Sequence, residues 1–234
     1  MTLNNYFDGI YCLTLPHRKE DRWEANCLPQ FETQSINGVQ PVYGVLGKNI
    51  VFPQTSIEIP IHRFFELGSA KGHLNCIQKA QADGVKRCLI FEDDVRLIEN
   101  INEKFSTIVD QIPEDYNMLY FGGNHTGGQT PISPNVARVY RTFALQMYSV
   151  NENAFEFLIS YLEDCINACL HKPEKRMKDW ESFAGDFFIS KIQPSMRCYT
   201  VKPQDEHGRN FSWQMDDCFS DIQQAPMTYD FLKK

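Results

Sequence analysis

Buried-type apolar runs and helical spacings follow one another along the chain. Phe7 to Leu15 (FDGIYCLTL) is rich in β-formers and stops at Pro16, the pattern of a buried first strand. Residues 17–31 are charged but helix-compatible, with Trp23, Cys27 and Leu28 on one face. Gln40 to Leu46 predicts a second short strand, and 47–68, with two prolines and several turn formers, a loop. Apolar residues at 74, 77 and 80 predict a helix over Gly72 to Ala82, closed by Asp83-Gly84.

Cys88 to Phe91 is a continuous apolar run between turn-like flanks, the mark of a strand buried on both faces. Tyr116 to Phe121, stopped by Gly122-Gly123, reads as another strand. Ala144 to Val150 alternates and reads as an edge or antiparallel strand. Asn151 caps a helix through Asp164, with Phe155, Leu158 and Leu162 on one face. Residues 171–182 read as a charged loop, Gly185 to Ile192 as a short helix and Arg197 to Val201 as the last strand.

This alternation predicts one α/β domain over residues 1–234, with a mixed, mostly parallel sheet covered by helices on both faces. Its C-terminal segment, 203–234, is expected to wrap back on the core. Sheets of this kind bind ligands at the carboxyl ends of their strands.

Composition narrows the function classes. At 234 residues, 42% hydrophobic and 23% charged, the chain has enough apolar surface for a substantial core. A net charge of −7, without a Lys/Arg cluster, argues against a nucleic-acid partner. The first residues carry no basic n-region and no segment approaches 18 uninterrupted apolar residues, so neither a signal peptide nor a membrane span is expected. That predicts a cytoplasmic protein whose eight cysteines are reduced. Cys165 and Cys169 lie four apart on a helix and read as core rather than as zinc ligands.

Candidate chemistry concentrates where Glu92, Asp93 and Asp94 close the Cys88 strand. By strand alternation Glu92 and Asp94 converge on one side while Asp93 faces the other. Two convergent carboxylates suit Mg²⁺ or Mn²⁺, which in turn grips a diphosphate. The plainer reading is a solvated acidic corner paired with Arg87, Arg96 or a helix N-terminus. His207 is either a loop histidine or a third metal ligand, and His73 a structural histidine. Asp186 caps a helix, or serves as general base toward an acceptor hydroxyl. Arg18, Asp21 and Arg22 form either a solvated face or a nucleotide rest, and Gly122-Gly123 permits close backbone approach to a ligand. No P-loop, GxGxxG, GxSxG or HExxH pattern occurs.

Taken in order, these segments resemble the glycosyltransferase family 25 proteins, the lipopolysaccharide-type glycosyltransferases. IYCLTLPHRKEDRWE is similar to that family's opening strand and basic follow-up, and CLIFEDDV to its acidic segment. Gly68 to His73 (GSAKGH) keeps the Gly and His of its Gly-Cys-x-x-Ser-His element, with Gly72 where Ser is usual. Asp186 matches its late Asp, and Pro203-Gln204 with Ser220-Asp221-Ile222 its closing residues. The resemblance implies a GT-A-like, Rossmann-type fold, a nucleotide-sugar donor, a divalent metal such as Mn²⁺ and inverting transfer to a glycan or lipid-linked glycan acceptor.

On that reading Glu92 and Asp94 hold the metal, with Asp93 beside them on the diphosphate. Arg18 and Arg22, with Gly122 and Gly123, lie near the nucleotide. Extension from GT-A sites in general adds His207 to the metal ligands. Asp186 is the expected base, with Asp179 and Glu181 next in line, and 171–181 is either a flap over the donor or a surface loop. The favoured sugar is galactose, from UDP-galactose, with peripheral membrane association left open by lipid-linked acceptors. The competing readings are a nucleotidyltransferase on a similar sheet and a catalytically silent nucleotide-binding or scaffold module.

Overall fold

The computed structural model describes residues 1–53, 55, 57–178, 182–202 and 210–214. In chain order the strands are β1 (Gly9–Thr14), β2 (Gln40–Tyr43), β3 (Arg87–Glu92), β4 (Val95–Leu97), β5 (Met118–Tyr120), β6 (Asn124–His125), β7 (Gln129–Pro131), β8 (Val136–Val139), β9 (Thr142–Phe143), β10 (Met147–Asn151), β11 (Cys198–Val201) and β12 (Ser212–Gln214). The helices are α1 (Leu3–Tyr6), α2 (Leu28–Thr33), α3 (Ile61–Ala82), α4 (Ile101–Ser106), α5 (Glu152–His171), α6 (Pro173–Lys178) and α7 (Gly185–Ile192), with a π-helical stretch over Lys19–Cys27.

Eight strands form one sheet in the order β2-β1-β3-β10-β5-β11-β8-β7. β10 pairs antiparallel with both β3 and β5, and β8 antiparallel with both β11 and β7. The other six strands point one way, so the sheet is mixed and mostly parallel, and the protein is α/β. Side chains alternate between two cores. Tyr11, Cys88, Ile90, Tyr120 and Tyr148 join Leu67, Ile77, Leu158 and Phe188 of α3, α5 and α7 on one face. Ile10, Cys12, Leu89, Phe91 and Leu119 meet Leu3, Trp23, Phe31 and Phe105 on the other. Helices thus cover both faces.

Several expectations are corrected. The loop expected over 47–68 contains the first two turns of α3, which starts after Pro60, a residue whose fixed φ suits a helix entry. The helix capped by Asn151 does run from the predicted start, its side chain accepting from the Asn153 amide, but continues to His171 because Cys165, Ile166 and Cys169 keep the buried stripe going. Pro173–Lys178 is helical where a loop was expected. β10 is antiparallel as read, yet it lies inside the sheet, not at an edge. Its polar Ser149 is buried because its hydroxyl bonds Tyr116 Oη at 2.6 Å. β11 is not the last strand: Ser212–Gln214 returns to pair with Val95–Leu97. Residues 203–209 and 215–234 lie outside the described residues.

Candidate active site at the carboxyl ends of β1, β2 and β3

The parallel trio β2, β1 and β3 delivers its carboxyl ends to one rim. After β1 the chain turns through Pro16–Arg18 into the π-helical stretch. That wider coil buries Trp23 and Cys27 in the core while Arg22, only 5% exposed, faces the rim. Asn26 Nδ2 donates to the Asp93 carbonyl at 2.9 Å, and Gln30 holds Val95 O and the Leu97 amide, both at 2.9 Å. The turn carrying the acids is therefore pinned from behind by side chains, not left to the loop's own stiffness.

A cavity opens at this rim. Its wall contains Leu13, Thr14 and Leu15, Arg18 and Arg22, the 44–47 loop, Phe65, Gly68, Ser69 and Gly72 of α3, and Glu92, Asp93 and Asp94. α3 lies directly on the 44–47 loop: a Cβ on Gly68 would sit 2.5 Å from Val45 O, and one on Gly72 2.8 Å from Leu13 Cδ1. At Gly68, where the neighbour is backbone, only glycine permits that approach.

All three acids reach this one cavity, so the predicted division of the triplet does not hold. The strand ends at Glu92 and Asp93-Asp94 form a turn, where alternation no longer applies. Each acid is held differently. Asp93 Oδ2 accepts from Thr14 Oγ1 at 2.6 Å. Burial, helped by the charge of Glu92, leaves its pKa raised, though Thr14, Arg22 and Arg18 lessen the rise. Asp94 is 4% exposed. Glu92 Oε1 lies 3.0 Å from His73 Nε2, whose other nitrogen lies 3.0 Å from Tyr148 Oη. His73 is 1% exposed, so it is a structural histidine as read, but its role is to orient an acid of the site.

Asp186 lies in the first turn of α7 and is not among the residues lining the cavity, though it is near enough to Glu92 to feel its charge. Ala184, not Asp186, is the N-cap residue. Asp186 Oδ2 accepts from the Ala144 amide at 3.0 Å and Oδ1 from its own neighbour Phe187 at 2.7 Å. Burial raises its pKa, and the negative charge of Glu92 pushes the same way. Gly122 and Gly123 are not among the residues lining the cavity. A Cβ on Gly122 would meet Ser212 O at 2.7 Å, and Gly123, at φ +126°, packs on Phe143 O, so both serve chain crossing. Asp179, Glu181 and His207 lie outside the described residues.

Sequence reasoning missed Thr14, Tyr148 and the 44–47 loop as parts of the site. Gly44 and Gly47, near a predicted strand end, were the available signal for close packing there. Nothing local marks Thr14 or Tyr148, since their roles depend on partners 79 and 75 residues away.

No protein-family model matches the chain, and no curated protein matches it either. Among solved structures, similar ones include mannose-1-phosphate geranyltransferase from Thermus thermophilus, at 10% identity and TM-score 0.41, covering 87% of this chain and 60% of that one. A glycosyltransferase involved in glycosylation of the major capsid of PBCV-1 follows, at 13% identity and TM-score 0.36, with 74% of each chain covered. A nucleoside-diphosphate-sugar pyrophosphorylase from Vibrio cholerae RC9 is 10% identical with TM-score 0.38, covering 82% of this chain and 72% of that one. The chain thus spans about 60% of the length of the Thermus protein. At these scores the likeness adds nothing to what the strand order shows directly.

Proposed function

We propose that this chain is a nucleotide-sugar-dependent glycosyltransferase of GT-A type, related to family 25, which transfers a sugar to a glycan acceptor with the help of a divalent cation. The observation that carries the reading is the convergence of Glu92, Asp93 and Asp94 with Arg18 and Arg22 on one cavity at the carboxyl ends of β1 and β3. Such an end, beside the reversed strand β10, is where an open α/β sheet offers a ligand crevice. Two arginines suit a diphosphate, and their charge also steadies the acids between them.

The donor set fits Mn²⁺ or Mg²⁺. Carboxylate oxygens are hard ligands, and among the described residues no three His, Cys, Asp or Glu side chains converge into a cage. An ion held here would take the rest of its ligands from phosphate and water. Asp94 and Glu92 would hold it, with Asp93 alongside. When bound, the ion would supply the positive charge that stabilises a leaving diphosphate. The residues themselves orient Glu92 through His73, hold Asp93 on Thr14 and present Asp186, its proton affinity raised by burial, as the base for inverting transfer. UDP-galactose is the donor of first choice.

No glycine-rich basic loop follows β1, which disfavours a nucleotidyltransferase. The test is titration of UDP and UDP-galactose by calorimetry with and without Mn²⁺, with donor hydrolysis assayed in parallel. We expect metal-dependent binding in the wild type, lost in Asp94→Ala, together with slow release of galactose. Binding without any turnover over a broad acceptor panel would leave the silent module. Absence of both nucleotide and metal binding would sink the reading.

A further inference from the structure

Just before β10, and across from Glu92 of the cavity wall, stands a polar group that nothing above uses. Gln146 is 8% exposed, and its Oε1 is buried without a hydrogen bond. A buried carbonyl oxygen left unpaired costs free energy, so a side chain kept in that state calls for an explanation. Its place in the sheet supplies one. Met147 pairs with Phe91, and the Glu92 amide donates to the Gln146 carbonyl at 3.0 Å, so Gln146 stands directly across from Glu92. Opposed residues of an antiparallel pair project from the same face. That face is the one covered by α3 and α7, which bring His73 against Glu92 and Asp186 against Ala144, two residues before Gln146.

Resting on the glycosyltransferase reading, we propose that Gln146, across from Glu92 and two residues beyond the Ala144 amide that Asp186 holds, is the acceptor-recognition residue, and that the group it takes is a hydroxyl pair of a neutral sugar. The chemistry selects this class. Gln146 Oε1 and the two carboxylates are all acceptors, so the ligand must bring donors. Two carboxylates repel an anionic ligand, and a hydroxyl bonded there lies within reach of Asp186 as its base. The carboxamide also gives the donor N–H pair that the carboxylates lack, so it alone of the three can both give to and accept from neighbouring hydroxyls. A site built to bond a hydroxyl discriminates strongly against ligands lacking it.

The test uses the full chain and free sugars as probes. Galactose, glucose, N-acetylglucosamine and galactosamine are titrated into ¹⁵N-labelled wild type and Gln146→Leu, with UDP titrated separately. At least one neutral sugar should shift the Gln146 carboxamide and Ala144 amide signals in the wild type. Its affinity should fall about tenfold or more in Gln146→Leu, the loss of one hydrogen bond, while UDP affinity stays the same. Gln146→Leu should also raise Tm, since it removes an unpaired buried oxygen at nearly constant volume, and this guards against a trivial folding defect. Unchanged sugar binding in the variant overturns the proposal, as does a wild type that binds no neutral sugar or only galactosamine. Loss of UDP binding in the wild type instead strikes at the donor reading and leaves the sugar result readable.

Discussion

Replacing Gly68 by alanine tests whether α3 and the 44–47 loop form a rigid wall of the site. The added Cβ would lie 2.5 Å from Val45 O, 3.2 Å from Gly47 N and 3.4 Å from Gly47 Cα, all of them backbone atoms. A carbon needs about 3.3 Å from a carbonyl oxygen, so helix and loop must part by roughly 0.8 Å. Alanine gains about 1 kcal/mol over glycine inside a helix. Overpacking of a well-filled contact costs about 1–3 kcal/mol. With backbone on every side the upper part of that range applies, about 2–3 kcal/mol, so the net expectation is a loss of about 1–2 kcal/mol, or a fall in Tm of roughly 2–8 °C for a chain of this size. Gly72→Ala is the control: its Cβ meets Leu13 Cδ1 at 2.8 Å and Cδ2 at 3.0 Å, the free end of a side chain that can swing away. There the helix gain and the smaller strain nearly cancel, to within about 0.5 kcal/mol. Urea unfolding of both variants measures the contrast, and UDP titration measures its effect on the cavity. A Gly68→Ala chain as stable as wild type, or a Gly72→Ala chain that is the weaker of the two, refutes the reasoning.

His73→Ala leaves the Tyr148 hydroxyl and the Glu92 carboxylate without their partner. It should cost about 1–3 kcal/mol in urea unfolding, because the buried Tyr148 hydroxyl is left unpaired while Glu92, 22% exposed, can turn to water. Burial holds the His125 pKa down at about 4 from its ordinary 6.5. The folded state therefore keeps His125 neutral while the unfolded chain takes up the proton, so its contribution is present above pH 6.5 and is lost as pH falls toward 4. Between those pH values His125→Asn should lose less stability than wild type, and an NMR titration should find the His125 ring still neutral at pH 5.5.

Some of this molecule is plain from local sequence. Cys88 to Phe91 is a strand because an unbroken apolar run of that length has nowhere to go but the interior, and the acids after it mark the strand end. Arg18 and Arg22 were recognisable as a group because four-residue spacing on a coil puts two side chains together. What stayed hidden depends on distant partners. The start of α3, IHRFFELG, mixes charge, aromatics and a glycine, and only its packing on the 44–47 loop gives that glycine a reason. Strands β6 and β9 are two residues each and exist only through one another. Ser149, and Gln146 just before the strand, made the segment around β10 look half-exposed, whereas both are buried. His73 looked like an ordinary buried histidine because nothing near it in sequence names Glu92 or Tyr148.

β10 also sets a problem for the chain as it is made. Its two ladder neighbours, β3 and β5, come earlier in sequence and touch each other only through it. Until Met147–Asn151 leaves the ribosome, β3 has an unpaired edge and β5 has no ladder partner at all, since its other neighbour, β11, comes later still. That is the geometry other chains fill by strand addition. Synthesis slowed just before residue 147 would expose those edges longest, and a peptide spanning 144–151 supplied in trans is the natural competitor for them.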